Sequence, residues 1–350
     1  MSQPHLWVRA EQRSNETRVG LTPEGAASLL QAGFAVTVEE SSTRVIPTDE
    51  YRAVGCTIAP GYSWPTAPKG AIIFGLKELP EDGTPLPHTH IMFGHAFKGQ
   101  GAGRVLLDRF KAGGGTLLDL EYLTDASGRR VAAFGYWAGF AGAAVSLMCW
   151  AAQQENRQAA SIAPYPSADA LTTALAAQLQ SCETSGLDAL VIGALGRVGS
   201  GASDLCAAMN VPVTGWDMTE TAHGGPFPEI LQHQLFINCI LAGPQTPRFV
   251  EPDTPDRPRR LRVIGDIACD PDSDYNPVPL YQAASTWEEP AVRVHDDPPL
   301  DIMAIDNLPS MLPLESSQDY AGQLLPTLME LSGDVNGVWA RARATFQSHL

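Results

Sequence analysis

DALVIGALGRVGSGA (188–202) decides the fold. A short apolar run, DALVIGA (188–194), leads directly into Gly193, Gly196 and Gly199, and an amphipathic stretch continues to Met209. That is a strand, a turn and a helix. Glycines at the turn let the backbone bend tightly and approach a pyrophosphate, whose charge rests on the helix N-terminus. The next apolar run, VTGWD (213–217), ends on Asp217, 18 residues after Gly199, where an acid can bond a ribose diol. The glycines alone are a weak signal. Strand, helix and acid together predict a dinucleotide site, and the acid favours NAD over NADP because it repels a 2′-phosphate.

The same alternation extends outward from this turn. LWVRA (6–10), FAVTVEE (34–40), AIIFGLK (71–77), HIMFGHAF (90–97) and GTLLDLEYL (115–123) read as strands, with helical spacing over 23–32, 47–54 and 101–112. Thr22 as N-cap and Pro23 in the first turn open the first helix. LFINCI (235–240), RLRVIGDIA (260–268) and DIMAIDN (301–307) continue a second series, with helices near 168–182, 310–331 and 337–349. Residues 243–259 and 270–299, rich in Pro and Asp, read as loops. Serial βα units predict an α/β chain with parallel-type sheets flanked by helices. The break falls near residue 134. This gives a substrate and catalytic domain over 1–134 with 309–350, and a dinucleotide-binding domain over 135–308.

Composition narrows the function. At 350 residues, 44% hydrophobic and 18% charged, the chain has material for two cores and is not a disordered polymer. Its formal charge of −16 lies almost entirely after residue 134 and argues against a nucleic-acid partner. Cys56, Cys149, Cys182, Cys206, Cys239 and Cys269 are far apart, without CxxC or zinc spacing. MSQPHLWVRA has no basic region followed by an apolar run, so a cytoplasmic protein with buried thiols is expected. Residues 131–152 carry no charge over 22 positions, long enough to span a bilayer, yet half are Gly or Ala. A closely packed buried helix has that composition too, and no membrane association is expected. His88 reads as a loop residue and His95 as a strand residue; with His90 they lack an acid or thiol close by, so no metal is expected.

Lys77 ends the run in FGLKELP, and Lys98 ends the one in HIMFGHAFKGQ, which also holds His95. C-terminal ends of parallel strands face the crevice where open α/β sheets bind ligands. Lys77, Lys98, Glu121 of LLDLEYL and Arg18 of the first loop are therefore expected in one cleft. The chain keeps only Lys69, Lys77, Lys98 and Lys111 as lysines, all in its first third. A partly buried lysine beside other cations loses proton affinity and can act as a base near neutrality. His95 needs only a small shift to do acid–base work.

ETRVGLTPEG (16–25), IIFGLKELP (72–80), HTHIMFGHAFK (88–98), LDLEYL (118–123), GRRVAAFGYWAGFAGAA (128–144), VIGALGRVGSGA (191–202), GGPF (224–227), FINCI (236–240) and IDNLPSMLP (305–313) resemble the saccharopine dehydrogenase family, NAD-dependent and L-lysine-forming. ETRVGLTPE is also similar, more distantly, to the opening of alanine dehydrogenases and the transhydrogenase NAD-binding subunit. The resemblance runs from near the N-terminus to the last helix, with FGLKE, FGHAFK and GRRVAAFG its most specific parts. It implies two Rossmann-like domains with an active-site cleft between them, a monomer, and cleavage of saccharopine by NAD to L-lysine and 2-oxoglutarate, or the reverse condensation.

The resemblance also implies roles. Lys77 matches the base towards the secondary amine, and His95 the acid–base group of the imine and carbinolamine steps. Arg18, Lys98, Glu121, Arg130 and Phe134 fall on the substrate side. Arg129, Gly193, Gly196, Arg197, Gly199, Asp217, Thr221, Leu241, Ile267, Ile305, Asp306, Asn307 and Leu308 fall on the NAD side. Two positions depart from the pattern: Asn307 stands in place of the histidine of DHLP, and Leu241 in place of a tyrosine after NCI. Both concern the NAD pocket rather than the chemistry. Saccharopine carries three carboxylates, and Arg18, Arg129 and Arg130 offer forks for them. The rival enzyme reading is another amino-acid or opine-type dehydrogenase, alanine dehydrogenase among them. A non-catalytic NAD-responsive protein is opposed by the Lys77–His95 pair.

Overall fold

Strands of three to five residues build two sheets. The computed structural model describes residues 3–13, 15–98, 101–331, 333 and 337–350. The chain divides into two units, Met1–Ala133 with Pro313–Leu350, and Phe134–Leu312.

The first unit runs β1 (His5–Val8), α1 (Pro23–Gln31), β2 (Ala35–Glu39), α2 (Thr48–Ala53), β3 (Thr57–Ala59), β4 (Ala71–Phe74), β5 (Thr89–Met92), α3 (Gly101–Gly113) and β6 (Thr116–Asp119). Thr22 caps α1 by accepting the Gly25 N–H at 3.2 Å, and Pro23 fills its first turn. The sheet order is β3-β2-β1-β4-β5-β6, all parallel. Val8 is level with Phe74, Phe74 with Ile91, and Met92 with Asp119, so the loops after β1, β4, β5 and β6 leave from one edge. The order reverses between β1 and β4, the switch point where such sheets bind ligands.

The second unit runs α4 (Gly135–Gln154), α5 (Ala168–Leu179), β7 (Ala189–Ile192), α6 (Arg197–Ala208), β8 (Val213–Trp216), α7 (Met218–Thr221), β9 (Leu235–Asn238), β10 (Val263–Asp266), β11 (Val292–Asp296) and β12 (Pro299–Met303). Its order is β11-β12-β10-β9-β7-β8, parallel except for β11 against β12, with the reversal between β7 and β9. The Gly/Ala-rich run becomes α4, which meets α6 backbone to backbone. A Cβ on Gly139 would stand 1.8 Å from the Val198 carbonyl oxygen, and one on Gly201 1.9 Å from that of Tyr136. Close helix packing therefore explains the small residues. No helix among the described residues is long and apolar enough to cross a membrane. The chain then returns to the first unit as α8 (Pro313–Met329) and α9 (Val338–Ser348), where Phe346 packs edge-on against Phe110 at 5.7 Å between ring centroids.

Several strands end sooner than their apolar runs. β4 stops at Phe74, three residues before Lys77, and β5 at Met92, before both His95 and Lys98. β5 ends where the Gly94 N–H turns to the Asp119 carboxylate instead of a neighbouring strand. His95, read as a strand residue, therefore lies in a loop with φ +48. Two strands escaped the sequence. β3 has only three residues, and β11 is a half-exposed antiparallel edge inside the stretch read as loop.

Candidate active site

At the β1/β4 switch point of the first unit, buried charges surround the Lys77 main chain. Glu11 accepts the Leu76 N–H at 2.6 Å and the Lys77 N–H at 3.0 Å. Arg9 pairs with Glu11 at 3.2 Å and donates to the Lys77 carbonyl. A Cβ on Gly75 would stand 2.4 Å from Arg9 Nε, so glycine is required for the guanidinium to lie there. Beside this clamp, Arg18 forms a fork on Glu16, Nε to Oε1 at 2.8 Å and Nη2 to Oε2 at 2.5 Å. Both are buried. Burial opposes ionisation of Glu16, but the Arg18 bonds, with the Lys77 charge adding, hold its carboxyl below the usual range.

The loops after β5 and β6 bring His95, Lys98 and Glu121 together. Lys98 Nζ donates to Glu121 Oε1 at 3.0 Å, and His95 Nδ1 stands 3.6 Å from Oε2, an ion-pair distance. His95 beside it, then Lys98 and Arg130, hold the Glu121 carboxyl down to about 2 against the cost of burial. The bond to Glu121 in turn raises Lys98, which makes it a binding cation. Beneath them Asp119, 1% exposed, accepts the N–H groups of Gly94 at 3.1 Å and Glu121 at 2.9 Å. Burial pushes its carboxyl up to about 6. The β4 and β5 loops are joined by the Phe93 N–H to Leu76 carbonyl bond at 3.0 Å. Tyr320 of α8, fully buried, feels the charges of Arg130, Asp119 and Arg18. Arg18, Lys77, His95, Lys98, Glu121 and Arg130 thus share one edge of one unit.

In the second unit, the glycine turn has the geometry of a phosphate cradle. Gly193 has φ +86, and a Cβ on Gly199 would lie 2.1 Å from the Gly193 carbonyl oxygen. Gly196, as N-cap of α6, makes no side-chain cap bond, and a helix N-terminus is where an anion can rest. Arg197 follows, exposed. Asp217 caps α7. Its Oδ2 accepts the Leu195 N–H at 3.1 Å and its Oδ1 that of Met218 at 2.9 Å, while Thr221 Oγ1 donates to its carbonyl at 2.9 Å. Leu195, Met218 and Leu241 are exposed apolar groups around this turn. The NAD requirements read from the sequence fit these residues.

Other expected residues are placed differently. Ile305 and Leu308 are core side chains, so only their main chains can meet a ligand. Ile267 packs on α4 where Gly142 leaves room, while Asp306 is exposed. Asn307 has φ +68, a left-handed conformation that asparagine tolerates better than most residues, which accounts for the residue type. Arg129 lies in the first unit, 85% exposed and 3.5 Å from Asp125. Phe134 is the N-cap of α4 and the first residue of the second unit. No group of His, Cys, Asp or Glu among the described residues could hold a metal ion. Sequence reading missed Arg9, Glu11, Glu16 and Asp119. Arg9 and Glu11 reach the Leu76–Lys77 main chain and Asp119 reaches Gly94 across loops far apart in sequence. The i,i+2 contacts of Arg9 with Glu11, Glu16 with Arg18 and Asp119 with Glu121 are too short a pattern to single them out.

Residues 7–141 match the family described as Alanine dehydrogenase/PNT, N-terminal domain. The chain is 44% identical to "Saccharopine dehydrogenase [NAD(+), L-lysine-forming]" of Schizosaccharomyces pombe, over 99% of both chains. It is 43% identical to the protein of that name from Candida albicans, over 99% of this chain and 97% of the other. Among solved structures it is similar to an L-alanine dehydrogenase, with TM-score 0.65 and 15% identity over 99% of this chain and 94% of that one. A transhydrogenase from Sinorhizobium meliloti matches with TM-score 0.57 and 15% identity, over 93% and 94%. At that identity the structures speak for the α/β fold alone.

Proposed function

The chain belongs to the family of NAD(+)-dependent, L-lysine-forming saccharopine dehydrogenases, and on that premise we propose how its residues divide the work. The enzyme is an NAD-dependent oxidoreductase that cleaves saccharopine to L-lysine and 2-oxoglutarate, or runs the reverse condensation. NAD, held by the glycine turn and Asp217, would supply the hydride acceptor for the carbon that carries the secondary amine. In this proposal Lys77 takes the proton of that amine, and the loss of hydride and proton leaves an imine. His95 then takes a proton from the water that adds to the imine carbon and passes it to the nitrogen, giving the carbinolamine. It afterwards carries the hydroxyl proton to the leaving amine as the C–N bond breaks. Arg18, Lys98 and Arg130 bind carboxylates, with Glu121 offsetting the surplus positive charge.

The observation that carries this reading is the set of Lys77, His95, Lys98 and Glu121 on the loops after three adjacent parallel strands of one sheet. For NAD, the cradle of Gly193, Gly196 and Gly199, with Arg197 beside the phosphates and Asp217 towards the ribose, supports the same reading. The main chain at Ile305, Asp306, Asn307 and Leu308, with Thr221, Leu241, Ile267 and Arg129, completes the proposed cofactor contacts. Phe134 is proposed to meet substrate. The alanine dehydrogenase alternative is not favoured, because that likeness is one of fold at 15% identity. All six cysteines are free thiols, which supports a reducing, cytoplasmic compartment, and we propose a monomer.

NADH oxidation with L-lysine plus 2-oxoglutarate tests the reaction. Turnover is expected with that pair, and NAD reduction with saccharopine. Faster turnover with ammonia and pyruvate, and none with lysine, overturns the reading. Sedimentation of the purified chain tests the monomer.

A further inference from the structure

We infer that Asp119 is a positioning residue that fixes His95 against Glu121. The inference rests on the proposed acid–base role of His95. Asp119 is the last residue of β6, level with Met92 at the end of β5. One oxygen accepts the Gly94 N–H at 3.1 Å and the other the Glu121 N–H at 2.9 Å. Gly94 precedes His95, and the Glu121 side chain returns to His95 Nδ1 at 3.6 Å. The contacts close a ring: Asp119 to Gly94, Gly94 through the chain to His95, His95 to Glu121, Glu121 back to Asp119.

Two further observations give the ring its purpose. His95 has φ +48, a conformation that residues with side chains avoid, so its surroundings must hold it there. A Cβ on Gly94 would stand 2.6 Å from Leu117 Cδ2 and 3.1 Å from the Asp119 oxygen, so glycine allows the N–H to reach the carboxylate. Asp119 is 1% exposed, which removes it from direct contact with substrate. Both of its oxygens must accept. Asparagine has one acceptor oxygen and turns an NH₂ towards the second N–H.

Steady-state kinetics of NADH oxidation on Asp119→Asn, His95→Asn and the double variant tests this. Asn is chosen at position 95 because it tolerates the left-handed backbone. Asp119→Asn is expected to lower kcat about tenfold, with KM for NADH unchanged. In the His95→Asn background the same substitution should change kcat by less than about twofold, since residues acting as a unit are non-additive. An equal factor in both backgrounds, or an unchanged kcat in the single variant, overturns the inference. Normal kcat in His95→Asn alone is the separate sign that the reading of His95 has failed, and it takes the inference with it. Should Asp119→Asn fail to fold, Gly94→Ala loosens the same bond from its other side, where the Leu117 side chain can yield. The same non-additivity with His95→Asn is expected there, and additivity is fatal.

Discussion

Lys98 Nζ donates to Glu121 Oε1 at 3.0 Å, so this cation is matched to an acid before any substrate arrives. The pair sets a balance of charge. Lys98 can meet a substrate carboxylate without leaving excess positive charge, because Glu121 stays ionised down to about 2. Lys98→Met should raise KM for 2-oxoglutarate about tenfold and leave kcat within about twofold, as expected for a group that binds without reacting. Steady-state kinetics at neutral pH decides this. A lower kcat at unchanged KM would place Lys98 at the reacting atoms instead.

Lys77 is clamped through its main chain by Glu11 and Arg9. Lys77→Met should therefore keep the clamp and the fold while removing the proposed base. An effect of about 10²-fold or more on kcat is expected, the usual worth of a general acid–base group, and likewise for His95→Asn. Near-normal kcat with raised KM in either variant would assign that side chain to binding.

His90 supplies a stability test away from the chemistry. Its ring is 1% exposed, between Trp64 at 5.1 Å and Phe110 at 5.4 Å, and both ring nitrogens are buried with no hydrogen-bond partner. Burial, with the charges of Arg9, His88 and Arg109, lowers its pKa to about 3. Between there and the usual 6.5 the unfolded chain binds a proton that the folded chain does not. Stability from this group is present above 6.5 and is lost as pH falls towards 3, on the order of a few kcal/mol in total. His90→Phe should therefore flatten the fall in urea midpoint between pH 7 and 4 relative to the parent. Equal slopes would mean that His90 is not buried as a neutral ring.

Much of the fold was written in local pattern. The run into Gly193, the Thr22–Pro23 helix start and the alternation of apolar runs with helical spacing are properties of neighbouring residues, and each acted as read. The strand ends were not legible. Lys77 and His95 belong to loops because Gly75 and Gly94 redirect the backbone towards Arg9 and Asp119, partners more than twenty residues away. The site divides in the same way. Lys77, His95, Lys98 and Glu121 could be named from their motifs, whereas Glu11 and Asp119 gain meaning only once strands far apart in sequence are laid side by side.

Cofactor choice gives the last prediction, and it rests on where Asp217 is held. Its two oxygens accept N–H groups from Leu195 in the glycine turn and from Met218 at the start of α7. Each oxygen has a second lone pair, so the carboxylate can still accept from ribose hydroxyls while the turn fixes its position. A 2′-phosphate there would meet a like charge a few ångströms away, worth about 1–4 kcal/mol at plausible effective dielectrics. That corresponds to roughly 10- to 1000-fold in favour of NAD. No arginine follows Asp217 closely to neutralise the phosphate, and the nearest downstream basic group is His223. Asp217→Ser keeps a helix-capping oxygen but removes the charge, so the fold of the turn should survive. It should weaken NAD and narrow its advantage over NADP, chiefly through KM. Asn307 and Leu241, on the nicotinamide side by family likeness, should not reverse the preference. The measurement is kcat/KM for NADH and NADPH in the parent and in Asp217→Ser. Equal use of both cofactors by the parent would show that Asp217 does not face the ribose.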